Sequence, residues 1–221
     1  MSIHKECVDA LRAKYRALTG NKLVAGHAHE IVASYFGYRT AAALRAETKY
    51  PLASLEEADV LMPALAVMDQ RITELQGIPN DLPTVDELAS QISEVLVEAG
   101  HFSGKIWSNR NIAEEVSTYA YENPLTILDE LSSEMATTNA YFDGFYIDEA
   151  DVSSNEEGLT VTLTGTAEGE QDQDRVYFGD KINFTTYVTF DLVAGRVAYR
   201  EPEFDTGGSV DDSYYSNDAA A

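Results

Sequence analysis

Residues 26 to 44, GHAHEIVASYFGYRTAAAL, place His27, His29 and Glu30 within four positions. Imidazoles and carboxylates bind zinc and move protons near neutral pH, so this crowding points first to a metal-dependent hydrolase using His27, His29 and an acidic third ligand. A zinc-protease helix needs His-Glu-x-x-His, because residues four apart project from one side of a helix. Here Ala33 stands where the second histidine would be. Two histidines two apart converge on an extended segment but diverge by about 200° on a helix. Ala28, Ile31, Val32, Tyr35 and Phe36 recur at helical spacing. The expectation is therefore a helix with neutral, structural histidines near its start, where the dipole disfavours an imidazolium. The metal site stands as an alternative.

A second constellation is EGEQDQD, in which Glu168, Glu170, Asp172 and Asp174 alternate, with Asp180 following. Alternating carboxylates can converge on calcium, but an EF-hand loop also needs glycine at its sixth position and glutamate at its twelfth. Counted from Glu168, Glu170 or Asp172, the twelfth residue is Gly179, Lys181 or Asn183. These five acids are expected instead on a solvated hairpin, available to a basic partner. Neither a nucleophile elbow nor a phosphate-binding glycine loop occurs. The single cysteine, Cys7, has no CxxC neighbour and is expected to pack inside the first helix. No cofactor is implied.

A third possibility is a DNA-binding helix-turn-helix. The helix from Ala28, the turn Gly37-Tyr38-Arg39 and a further helix carrying Arg45 and Lys49 have suitable proportions. Its recognition helix would be AAALRAETK, which has few side chains able to read a base edge.

Charge is the strongest compositional signal. The chain has 221 residues and a formal charge of −23, from 38 acidic and 15 basic residues. Residues 1–50 carry eight basic and four acidic side chains, a balance of +4, which leaves −27 for the rest. Such a body repels nucleic acid and anionic membrane and attracts basic surfaces. Apolar stretches are short and interrupted, and MSIHKECVDALRAKYRAL has no signal-peptide core, so a cytoplasmic protein without a membrane segment is expected.

The elements that must position these groups divide the chain. Residues 1–50 form a basic helical hairpin region and 51–138 a further helical region. Within them, Thr40 and Thr84 are helix caps, Gly37 is suited to a left-handed turn, Ser54 opens a capping box and Pro63 kinks or splits the helix that follows. Pro124 starts a helix to about residue 138. Near residue 140 the period changes to two: FYIDEADV, LTVTLTGTAE, INFTTYVTFDL and RVAYREPEF alternate apolar and polar positions. The fold class is thus α+β, with a four-stranded antiparallel meander over 139–204 and an acidic flexible tail over 205–221.

His27, Glu30, Val32, Ala33, Gly37, Tyr38, Ala42 and Leu44 resemble the N-terminal motif of a group of uncharacterised bacterial proteins typical of plasmids and other mobile elements. The resemblance covers residues 20–50 and, more loosely, 51–80. It implies a mobile-element setting and no catalytic role. The leading expectation is a non-enzymatic acidic binder, a nucleic-acid mimic that inhibits a host defence protein or another nucleic-acid-handling protein by occupying its basic surface.

Overall fold

The computed structural model describes residues 2–174, 176–211 and 213. The protein is α+β and divides into two compact units, one of residues 1–110 with 191–201, the other of 111–190 with 202–221.

In the first unit the apolar stripe of α1 (Ile3–Thr19) buries Cys7, Leu11 and Tyr15, and Gly20 ends it in the left-handed conformation. α2 (Ala25–Tyr35) buries Ile31, Val32 and Tyr35. Gly37 follows at φ +84°, where a Cβ would come within 2.8 Å of the Arg196 Cβ, so the turn has both the conformation and the space only glycine meets. Thr40 caps α3 (Ala41–Ala46) by accepting from the Ala43 N–H. α4 (Leu65–Glu74) and α5 (Val85–Glu98) complete the helices, and α5 opens on the Thr84–Glu87 capping box.

The helix expected from Ser54 is not continuous. Residues Leu52–Glu57 form a 3-10 turn, and Val60–Leu61 is a short strand, β1, before Pro63. β1 pairs in parallel with β2 (Lys105–Ile106) and antiparallel with β6 (Ala198–Tyr199). Backbone pairing of Asp59 and Met62 with Tyr199 and Val197 supplies the hydrogen bonds that a helix would have made.

The second unit holds α6 (Ile112–Glu122), α7 (Leu125–Leu128), α8 (Ser132–Thr137) and the long strands β3 (Ala140–Ser154), β4 (Gly158–Gln171), β5 (Lys181–Ala194) and β7 (Glu203–Val210). The single helix expected from Pro124 is thus two short ones. The strands are hydrogen-bonded neighbours in the order β3-β4-β5, with β7 on β5. Leu159, Val161, Leu163, Ile182, Phe184, Val188 and Phe190 are buried at alternate positions, and Phe145 stacks on Phe184 at 5.3 Å.

The expected four-stranded antiparallel meander is corrected in two ways. Among the described residues the sheet has seven strands and is mixed, because β1 and β2 run parallel. The single strand expected over 196–204 is two: β6 pairs with Leu192 and Ala194 of β5, whereas β7 pairs with Ile182–Thr189. Pro202, with no N–H to give a ladder, lies in the break between them. Residues 205–210, expected to start the tail, lie in β7; residues 212 and 214–221 fall outside the described residues.

Candidate interaction surface

His27 and His29 both lie inside α2, so the two rings leave the helix in different directions. His27 Nδ1 is buried without a hydrogen-bond partner. His29 Nδ1 faces His4 Nε2 at 3.4 Å, edge to face, and His4 Nε2 is also 3.5 Å from the His29 carbonyl oxygen. Burial is the main cause that lowers the His4 pKa below its usual value, which keeps that ring neutral near pH 7. Sequence reasoning passed over His4, although it sits beside Cys7, Val8 and Leu11 on the buried stripe of α1. Glu30 is occupied elsewhere. Its Oε2 accepts from the Ala41 N–H and from Nε and Nη2 of Arg71, at 3.3, 3.1 and 2.8 Å. The glutamate beside the histidines thus ties α2 to the start of α3 and to α4. Among the described residues no three His, Cys, Asp or Glu side chains gather as metal ligands. Burial drives the Cys7 thiol up to about 12, so it stays protonated.

The basic residues of the hairpin are dispersed. Arg39 is exposed in the α2–α3 turn. Arg45 is exposed near the end of α3, beside a hollow of about 380 Å³ that it lines with His4, Leu44 and Leu52. Lys49 lies past the end of that helix, its ammonium 5.0 Å over the Tyr50 ring. A six-residue helix is about 9 Å long, so a single cation on it has little reach along a groove.

The acidic residues are gathered. The second unit holds 22 acidic and two basic residues, a balance of −20, whereas the first holds 16 and 13, a balance of −3. Glu168 and Glu170 stand exposed on the solvent side of β4, opposite in phase to buried Leu163 and Ala167. The pairing of β3 with β4 brings Glu149 opposite Thr164 and Asp151 opposite Thr162, on that same side. On β7, Glu203 pairs with Thr189 and Asp205 with Tyr187, which also point to solvent. Three strands therefore each carry a carboxylate pair two residues apart, spaced by about 6.8 Å along the strand. Tyr141, Tyr146 and Tyr187 are exposed on this face, and Lys181 pairs with Glu168 at 3.2 Å.

Of the other acids singled out from sequence, Asp172, Asp174 and Asp180 lie in the β4–β5 connection. The Asp174 N–H donates to Asp172 Oδ1 at 3.0 Å, and Asp180 Oδ1 accepts from the Tyr177 hydroxyl at 2.8 Å. The structure keeps them next to Glu168 and Glu170 in the chain but gives them local hydrogen-bonding work in that connection. Glu149, Asp151, Glu203 and Asp205 were missed. In β3 the reason is a pair of bulges, at Asp143 and Asp148. With regular alternation Glu149 and Asp151 would follow Phe145 and Ile147 into the core. The extra residue at Asp148 inverts the phase, turning both acids to solvent and Ala150 and Val152 to the opposite side.

Comparison with protein-family models, with curated proteins and with solved structures finds no match to this chain. No helix among the described residues is long and apolar enough to cross a membrane.

Proposed function

We propose that this protein is a non-enzymatic binder whose acidic sheet face occupies the basic surface of a nucleic-acid-handling protein in place of nucleic acid. The observation that carries the reading is the segregation of charge: one unit of the fold holds −20 of the formal −23. On its sheet, Glu149, Asp151, Glu168, Glu170, Glu203 and Asp205 stand at fixed spacings on hydrogen-bonded strands. Duplex DNA carries one charge per about 1.7 Å of axis. The sheet is less dense than that, because threonines and tyrosines alternate with the acids, so it replaces a set of phosphate contacts and not a continuous track. The same field repels nucleic acid itself. A host defence protein is the target that a mobile-element setting would supply, an expectation drawn from the motif of residues 20–50 and, more loosely, 51–80.

The experiment is binding to a panel of purified nucleic-acid-handling proteins across a salt series, with duplex DNA as competitor. Association at low salt that weakens as salt rises and is displaced by DNA is expected, and Glu168→Gln with Glu170→Gln should weaken it about tenfold. No association at low salt, or association indifferent to DNA, overturns the reading. A gel shift with duplex DNA alone checks the helix-turn-helix alternative: a shift abolished by Arg45→Ala with Lys49→Ala would replace the proposal.

A further inference from the structure

β3 is an edge strand, and α6 lies against it. Between them runs a groove of about 620 Å³, within the usual range of ligand sites. Glu114, Tyr121 and Glu122 line it from the helix, and Tyr146, Asp148 and Glu149 from the strand. Tyr121 is 61% exposed and Tyr146 50%, which leaves large areas of aromatic ring in water. Asp148 and Glu149, consecutive at the bulge, both border the groove. Among the described residues no lysine or arginine forms an ion pair with any of the four carboxylates. Four like charges without a counter-charge repel one another, and a cation entering the groove relieves that repulsion.

We infer that this groove seats an arginine-bearing segment of the protein partner. Arginine fits better than lysine on two counts: its planar guanidinium stacks on tyrosine rings, and its fork of donors engages carboxylates in pairs. The inference rests on the reading of the molecule as an acidic binder and deepens it by separating a directional pocket from the broader field of the sheet face.

The test uses the full chain with fluorescein-labelled nona-arginine and nona-lysine peptides as probes, titrated at low and at physiological salt. Nona-arginine should bind more tightly than nona-lysine. Glu114→Gln with Asp148→Asn should weaken nona-arginine binding about tenfold, as should Tyr121→Leu with Tyr146→Leu. Glu203→Gln with Asp205→Asn, on β7 and outside the groove lining, should weaken it less than twofold. The amide variants keep the size of each side chain, so they remain informative if the tyrosine pair fails to fold. Equal weakening by the groove and β7 variants, equal affinity for both peptides, or no peptide binding overturns the inference. Peptide binding that follows the groove while no nucleic-acid-handling protein associates would leave the groove standing and remove the function. Protein association lost with the sheet-face variants but untouched by the groove variants would do the reverse.

Discussion

A proton on His4 would sit in a largely buried ring against a second imidazole with the Arg45 cation nearby, and burial opposes it more than the His29 carbonyl and the Glu30 carboxylate favour it. The folded protein therefore takes that proton at lower pH than the unfolded chain does. For a base with a depressed folded pKa, the contribution to stability is complete above the unfolded value of about 6.5 and is lost as pH falls from there toward the folded value. Urea midpoints measured near pH 7.5 and near pH 5 should show wild type losing more stability than His4→Gln over that interval. Equal losses would mean that the ring is free to charge in the fold. The chemistry of this spot was half legible in sequence. The helical spacing after His29 argued against a joint metal site, and α2 has that helix. The partner of His29 was hidden, because it comes from a residue 25 positions earlier whose type does not advertise a core position.

At the scale of elements, α2 and α5 are joined by a hydrogen bond between the Tyr35 hydroxyl and Ser93 Oγ at 2.7 Å, both buried. Tyr35→Phe leaves the serine hydroxyl without that partner and should cost about 1–3 kcal/mol, measured as a fall in the denaturant midpoint. An unchanged midpoint would place water or another partner at Ser93. Helix caps were readable from single residues: Thr40 and Thr84 accept the N–H groups that their positions call for, and Gly37 takes its left-handed turn. Strand phase was readable in β4 and β5 but not in β3. A bulge adds one residue with no mark in the composition, and the two in β3 reassign which acids meet water. The short strands β1 and β2 were missed for a related reason. Two-residue strands have no periodicity, and β1 finds its partners far along the chain, Val60 facing Lys105 on one side and Tyr199 on the other.

For the whole molecule, charge was legible in amount and misplaced in detail. The acids of residues 51–110 fold together with the basic N-terminal region, so the first unit is near balance and the second carries the excess. Self-repulsion in a unit with 22 carboxylates and two cations opposes folding, and the Debye length shortens from about 10 Å at 0.1 M salt to about 3 Å at 1 M. The melting temperature should rise between those concentrations by on the order of 5 °C, roughly 1 kcal/mol for a unit of this size. A flat response in sodium chloride would show that the carboxylates are too far apart to repel strongly.

The order of the two units along the chain bears on biosynthesis. β1 emerges from the ribosome early, but its antiparallel neighbour, β6, follows only after the whole of residues 111–190. The N-terminal half must wait with one strand edge unclaimed while the other half is translated. A chain truncated before Ala198 should accordingly expose that edge to chaperones and proteases, and a released chain that includes β6 should close it.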